Sequence, residues 1–219
     1  MASNDEIKFI AVEGVIGAGK TALAKKLKSR LESKLILEQF EANPFLENFY
    51  NDRKRFAFQT QMFFLINRFK QQEELIQDDL FTNFIVCDYI FDKDKIFAYL
   101  NLSAEELKLY ENVFPLLSRN LRKPDLVIYL QSSLDRLMFN IKKRGRSIER
   151  NLTRSYIEEL SDAYNHFFFR YNSTPLLIVN STDIDFVNND EDFDELFRQI
   201  FREDRGVTEY FKPEARSIG

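Results

Sequence analysis

Short apolar runs alternate along the chain with longer segments in which apolar positions recur three and four apart. The runs cover residues 9–12, 35–37, 84–87, 126–130 and 176–179. Each is too short for a helix and apolar throughout, so each predicts a strand buried on both faces. Between them lie segments 20–33, 43–78, 93–120, 133–143 followed by 153–171, and 191–202, which carry the helical period. Parallel strands need crossover connections of this length. The alternation therefore predicts a three-layer α/β sandwich, a five-stranded parallel sheet flanked by helices. No repeat, low-complexity tract or Pro/Gly/Ser linker interrupts the 219 residues, so a single domain spanning 1–219 is expected.

Composition narrows the class. With 44% hydrophobic and 30% charged residues, and only 6 Gly and 5 Pro, the chain is neither disordered nor fibrous. Lys plus Arg (31) against Asp plus Glu (35) leaves a formal charge of -4, which offers no global field for nucleic acid or an anionic membrane, and neither partner is expected. An anion must be held by a local site. The lone Cys87 excludes an intramolecular disulfide, and no Cys/His cluster has the spacing of structural zinc. Asp5 and Glu6 precede a short apolar run instead of a basic patch before a long one, and no run of about 18 apolar residues follows. A cytoplasmic protein is expected. The 23 Phe, with no Trp, are expected mostly to fill the core, a few stacking on a planar ligand.

Directly after the first predicted strand, Gly14-Val15-Ile16-Gly17-Ala18-Gly19-Lys20-Thr21 matches G-x-x-x-x-G-K-[ST] and runs into a helical segment. The glycines let the backbone turn its N–H groups around phosphate oxygens at a helix N-terminus, where the dipole favours negative charge. Lys20 would bridge the terminal phosphates, and the Thr21 hydroxyl would serve a magnesium ion. The match points to ATP or GTP and is silent on what is done with it.

Further along, Glu38 stands at the carboxyl end of the second strand, where open α/β sheets bind ligands, and is a candidate base. Gln61 and Arg68 are seven apart, two helical turns, and share a helix face that can present an amide and a guanidinium to a nucleobase edge. The basic run Lys142-Lys143-Arg144-Gly145-Arg146 suits either a solvated helix end or a phosphate clamp, and the P-loop favours the clamp. The lone His166 reads as a structural residue of a Phe-rich helix, and Cys87 as buried and inert.

Taken in order, these residues resemble the deoxynucleoside kinase family, particularly bacterial purine deoxynucleoside kinases. The likeness extends over nearly the whole chain. It rests on the P-loop, the strand-end Glu38, Asn43-Pro44-Phe45-Leu46, Phe49-Tyr50-Asn51-Asp52, Gln61 with Arg68, Phe97-Ala98, Pro124 to Leu130, and an Arg-rich lid at about 140–152 containing Arg144, Gly145, Arg146 and Glu149. The resemblance implies that Glu38 takes the proton of the substrate 5′-hydroxyl, Tyr50 and Glu149 bind the sugar 3′-hydroxyl, Gln61 pairs with the base edge, Arg68 supports base recognition or the nucleophile, and Phe97 stacks on the base. It also implies ATP as donor, Mg2+ associated with Thr21 and Asp88, clamping by Arg144 and Arg146, a homodimer, and a purine deoxynucleoside, deoxyadenosine first, as acceptor in nucleotide salvage.

Two departures stand out. Where many members carry an acidic-Arg-Ser triplet, this chain has Cys87-Asp88-Tyr89, leaving that arginine without a counterpart and Lys93 as a candidate for its charge. The arginine that usually opens the lid is Asn140. A monophosphate kinase of the thymidylate kinase type is the alternative enzyme, although a carboxylate such as Glu38 would repel an acceptor phosphate. A nucleotide-binding switch without turnover is the alternative outside enzymes.

Overall fold

A computed structural model describes residues 7–78, 84–202, 204 and 206–213. Asp5 and Glu6 lie outside them. Strands β1 (Phe9–Gly14), β2 (Lys34–Ile36), β3 (Ile85–Cys87), β4 (Leu126–Gln131), β5 (Leu176–Asn180) and β6 (Thr208–Phe211) form one parallel sheet in the order β2-β3-β1-β4-β5-β6. The sheet has six strands where the hydrophobic pattern predicts five. Strand β6 escapes that pattern because it is an edge strand whose side chains alternate between exposed and half-buried, so it has no apolar run.

The central strands behave as their sequences demand. Every residue of β1 is buried, as a strand covered by helices on both faces must be. Helices α1 (Lys20–Leu31), α2 (Leu46–Asn51), α3 (Arg53–Asp78), α4 (Lys93–Asn101), α5 (Ala104–Ser118), α6 (Leu134–Arg144), α7 (Arg154–Phe169) and α8 (Asp190–Ile200) supply the crossovers and outer layers. Predicted segment 43–78 divides at Asp52, and segment 93–120 divides at Leu102 and Ser103. Ser103 starts α5 with a reciprocal capping box to Glu106, which halts one helix and begins another without glycine or proline. Side chains of Ser133, Thr153 and Asn189 cap α6, α7 and α8 in the same economical way.

The topology sets the place for chemistry. From β1 the chain builds outward to β2, returns to β3, and then crosses β1 to reach β4. The strand order thus reverses beside β1, and the crevice at the carboxyl ends of β1, β3 and β4 is where such sheets bind ligands. Behind it the core, one large cluster with two smaller ones beside it, is rich in aromatic rings. Tyr129 stacks on Phe168 with centroids 4.2 Å apart, and Phe9, Phe49, Phe114, Phe186 and Phe193 are buried, in line with Phe as the core's bulk filler. Cys87 is buried, and burial holds its thiol well above its ordinary pKa, so it is the inert residue expected.

Candidate active site

Residues 14–21 wrap the carboxyl end of β1 and open directly into α1. Gly17 has φ 91, and a Cβ there would stand 2.6 Å from the Leu137 carbonyl oxygen, so only glycine fits against α6. Asn140 Nδ2 donates to the Gly17 carbonyl at 2.8 Å and ties the same helix to the loop from the side. Lys20 Nζ reaches back to the Gly14 and Val15 carbonyls at 2.7 and 3.2 Å. Burial, helped by the neighbouring Lys93 charge, draws the Lys20 pKa down to about 8 against the pull of Glu13, Glu38 and Asp88. Gly17→Ala is expected to weaken ATP binding about tenfold or more, since a non-glycine residue in such backbone costs about 1–3 kcal/mol. Calorimetric titration checks this, and unchanged affinity would mean that the loop does not hold phosphate.

Glu38 follows β2 and borders a cavity of about 220 Å³ between α2, α3, α4 and the segment 144–149. Its backbone N–H donates to Asp88 Oδ1 at 2.7 Å, while Asp88 Oδ2 accepts the Thr21 hydroxyl at 2.6 Å. One carboxylate thus joins the end of β2 to the P-loop. The Glu38 side chain is gripped at both oxygens: Arg68 Nε donates to Oε1 at 2.8 Å, and Lys93 Nζ to Oε2 at 2.9 Å. Burial would raise the Glu38 carboxyl, but Lys93 and Arg68 outweigh it and hold the group well below the usual carboxylate range. It is an ionised carboxylate at any pH near neutral.

Helix α3 presents its inner face to this cavity as the seven-residue spacing predicts. Ala57, Gln61, Leu65 and Arg68 are all buried along it, while Ile66 on the other side is exposed. Sequence reasoning missed the partner that fixes both polar members. Asp94, fully buried on α4, accepts from Arg68 Nη1 and from the Gln61 amide nitrogen, which also donates to the Asp94 backbone carbonyl at 2.8 Å. Both acceptors demand a nitrogen there, so the Gln61 amide is oriented unambiguously and its carbonyl oxygen is left for the cavity. The signal available in the sequence was an acidic residue in the first turn of a helix, a common surface pattern that reveals no burial.

The remaining candidates line the same cavity. Tyr50, Phe97, Arg144, Arg146 and Glu149 all border it, with Tyr164 and Phe64. Phe97 packs edge-on against Tyr164 at 6.2 Å and offers an aromatic wall. Burial pushes the Tyr50 phenol well above its ordinary pKa, so its O–H remains a hydrogen-bond donor. Arg144 makes a two-nitrogen contact with Glu149, Nη2 lying 2.7 Å from both oxygens, and Arg146 approaches the same carboxylate at 3.5 Å. Lys20, Thr21, Arg144 and Arg146 also border a second cavity of about 730 Å³, whose far wall is Ile184 to Asn188. The two cavities meet at these four residues and Lys25. His166 lines instead an apolar groove between α4 and α7 and is apart from the site.

Hard oxygen donors at Thr21 and Asp88, in mutual contact beside the loop, suit a magnesium ion. Among the described residues no cluster of three or more His, Cys, Asp or Glu side chains could hold a metal by itself. Such an ion would take its remaining ligands from phosphate and water.

A phosphate loop, a half-buried strand-end carboxylate and the arginines Arg144 and Arg146 on a parallel sheet define a phosphotransferase of the P-loop kinase class. The family model for deoxynucleoside kinase matches residues 10–203, and the chain belongs to that family. It is 38% identical over 197 residues to deoxyguanosine kinase of Bacillus subtilis (strain 168), covering 88% of this chain and 95% of the relative. It is 32% identical over 199 residues to the deoxyadenosine/deoxycytidine kinase of the same organism, covering 88% and 91%. Among solved structures, deoxyadenosine kinase from M. mycoides with bound dATP superposes with TM-score 0.77 at 26% identity, covering 89% of this chain and 99% of that one. Membership sets aside the monophosphate kinase and the switch as first readings.

Proposed function

We propose that the chain transfers the γ-phosphoryl group of ATP to the 5′-hydroxyl of a purine deoxynucleoside, deoxyadenosine first, in nucleotide salvage. The observation that carries this reading is a cavity bordered by an ionised Glu38 and by Lys20, Thr21, Arg144 and Arg146. The nucleoside fills the smaller cavity, its base between Phe97 and the α3 face and its 3′-hydroxyl at Tyr50 and Glu149. ATP fills the larger one, with its phosphates on the P-loop and its base near the segment after β5. The 5′ oxygen forms a bond to the γ-phosphorus, its proton passes to Glu38, the bond to the β-phosphate oxygen breaks, and ADP leaves. Because the transition state is loose, proton removal is late, and a weakly basic carboxylate serves chiefly to orient the hydroxyl. Thr21 and Asp88 would hold a magnesium ion, which would supply charge neutralisation for the transferring group. Arg144 and Arg146, at the junction of the cavities, add positive charge and keep out water that would hydrolyse ATP.

A single domain over 1–219, with its lid at about 140–152, accompanies this reading. So do a cytoplasmic location and a homodimer built by packing helices. None of the described helices is long and apolar enough to cross a membrane. The apolar groove between α4 and α7, lined by Ile96, Tyr99, Leu100 and Phe167, supports helix packing between copies.

The test is magnesium-dependent ATP consumption by the purified protein with deoxyadenosine, deoxyguanosine, deoxycytidine or thymidine, and with the monophosphates in parallel. Turnover with purine nucleosides, highest kcat/KM for deoxyadenosine, is the expected result. A fixed Gln61 carbonyl accepts from an exocyclic amino group such as that of adenine. Turnover with monophosphates alone would overturn the reaction, and a pyrimidine preference would overturn the base.

A further inference from the structure

Lys93 is the first residue of α4, where the helix dipole disfavours a cation, and its side chain is only 3% exposed. Local preference and solvation both argue against a lysine there, and such conflicts concentrate at functional sites. What holds it is a pair of carboxylates, Glu38 at 2.9 Å and Glu13 at 3.7 Å. Burial works against its charge, yet Glu13 and Glu38 more than compensate and raise its pKa, so it is an ammonium ion.

The two carboxylates differ in kind. Glu13 is the penultimate residue of β1 and is fully buried. Its oxygens accept the Gly14 N–H at 3.0 Å, the Ile90 N–H at 3.1 Å and the Tyr164 hydroxyl at 3.2 Å. It is an immobile part of the strand that carries the phosphate loop. Glu38 stands beyond β2, in a segment without regular structure, and its side chain borders the cavity. Arg68 holds only its Oε1. A carboxylate anchored at one oxygen still swings about its side-chain torsions, and the second anchor is Lys93 on Oε2.

We propose that Lys93 is the positioning residue of the transfer, tying the Glu38 carboxylate to the strand that bears the P-loop, so that the hydroxyl orienter and the phosphate cradle keep one geometry. The inference rests on Glu38 as the group that receives the 5′-hydroxyl. Its readout is kcat, because a misplacement of about 1 Å at a reacting group can cost about 10²-fold in rate.

The test compares the full-length protein with Lys93→Met, Glu13→Gln/Lys93→Met and Glu38→Gln in steady-state kinetics. The double variant removes the buried charge that the single one strands, and separates folding from function. Expected is a fall in kcat of about 10²-fold in both Lys93 variants, with nucleoside KM held within about threefold and with the double variant folded, as a cooperative unfolding transition shows. A well-folded double variant with kcat within about threefold of wild type, or a loss confined to KM, would overturn the proposal. If Glu38→Gln itself turns over normally, the base assignment fails and carries this inference down with it.

Discussion

Glu38→Gln is expected to lower kcat by roughly 10²–10⁴-fold, the usual contribution of a positioned general base, while ATP affinity stays within about twofold. The amide keeps the shape of the side chain and can still accept from Arg68 or Lys93, but it cannot take a proton. Glu38 borders the smaller cavity and not the larger one, so under the proposed assignment of ATP to the larger cavity the nucleotide should not sense the change. Steady-state kinetics with deoxyadenosine and calorimetric titration of ATP give the two numbers. Retention of more than about a tenth of wild-type kcat would remove Glu38 from the chemistry and leave it a structural acid.

Arg68→Met should act on the fold as well as on the substrate. Arg68 is 3% exposed and divides its guanidinium between Glu38 and Asp94, the latter fully buried. Removing it takes away the cation that meets Asp94 and leaves neutral donors such as the Gln61 amide, a loss of one partner from a buried pair that costs about 3–5 kcal/mol. For a chain of this length that corresponds to a fall of roughly 10 °C in Tm. Nucleoside KM should rise too, because Gln61 and Glu38 both lose their fixed orientation. Arg68→Lys keeps charge without the planar fork and should recover only part of either quantity. A change below about 1 kcal/mol in urea unfolding would show that the pair is solvated and that Asp94 is not held by Arg68.

Both substitutions touch one connected set of buried and half-buried charges. Glu13, Lys93, Glu38, Arg68 and Asp94 alternate in sign from β1, which leads into the P-loop, across α3 to α4. Phosphoryl transfer gains mainly from positioning and charge placement, so a chain of ion pairs linking the strand of the P-loop to Glu38 and α3 suits the proposed reaction. Asp88 closes it on the other side, joining the Glu38 backbone to Thr21.

Much of this was readable from residue order alone. A fully buried parallel strand must be apolar on both faces, so β1, β4 and β5 announced themselves as unbroken runs, and the P-loop followed from glycine spacing before a helix. Gln61 and Arg68 declared a common face by helical periodicity, and the structure buries both. Strand β6 stayed hidden because an edge strand need not be apolar. Asp94 and Glu13 stayed hidden for a different reason. A buried acid and a solvated one look identical in sequence, and what separates them is a partner contributed by another element, Arg68 for Asp94 and Lys93 for Glu13. The sequence by itself determined the strand–helix alternation, the phosphate loop and the residue types available for catalysis, because periodicity and glycine spacing are local properties. Only the tertiary structure decided which cation meets which carboxylate, because charge pairing depends on distances across elements that chain order does not contain.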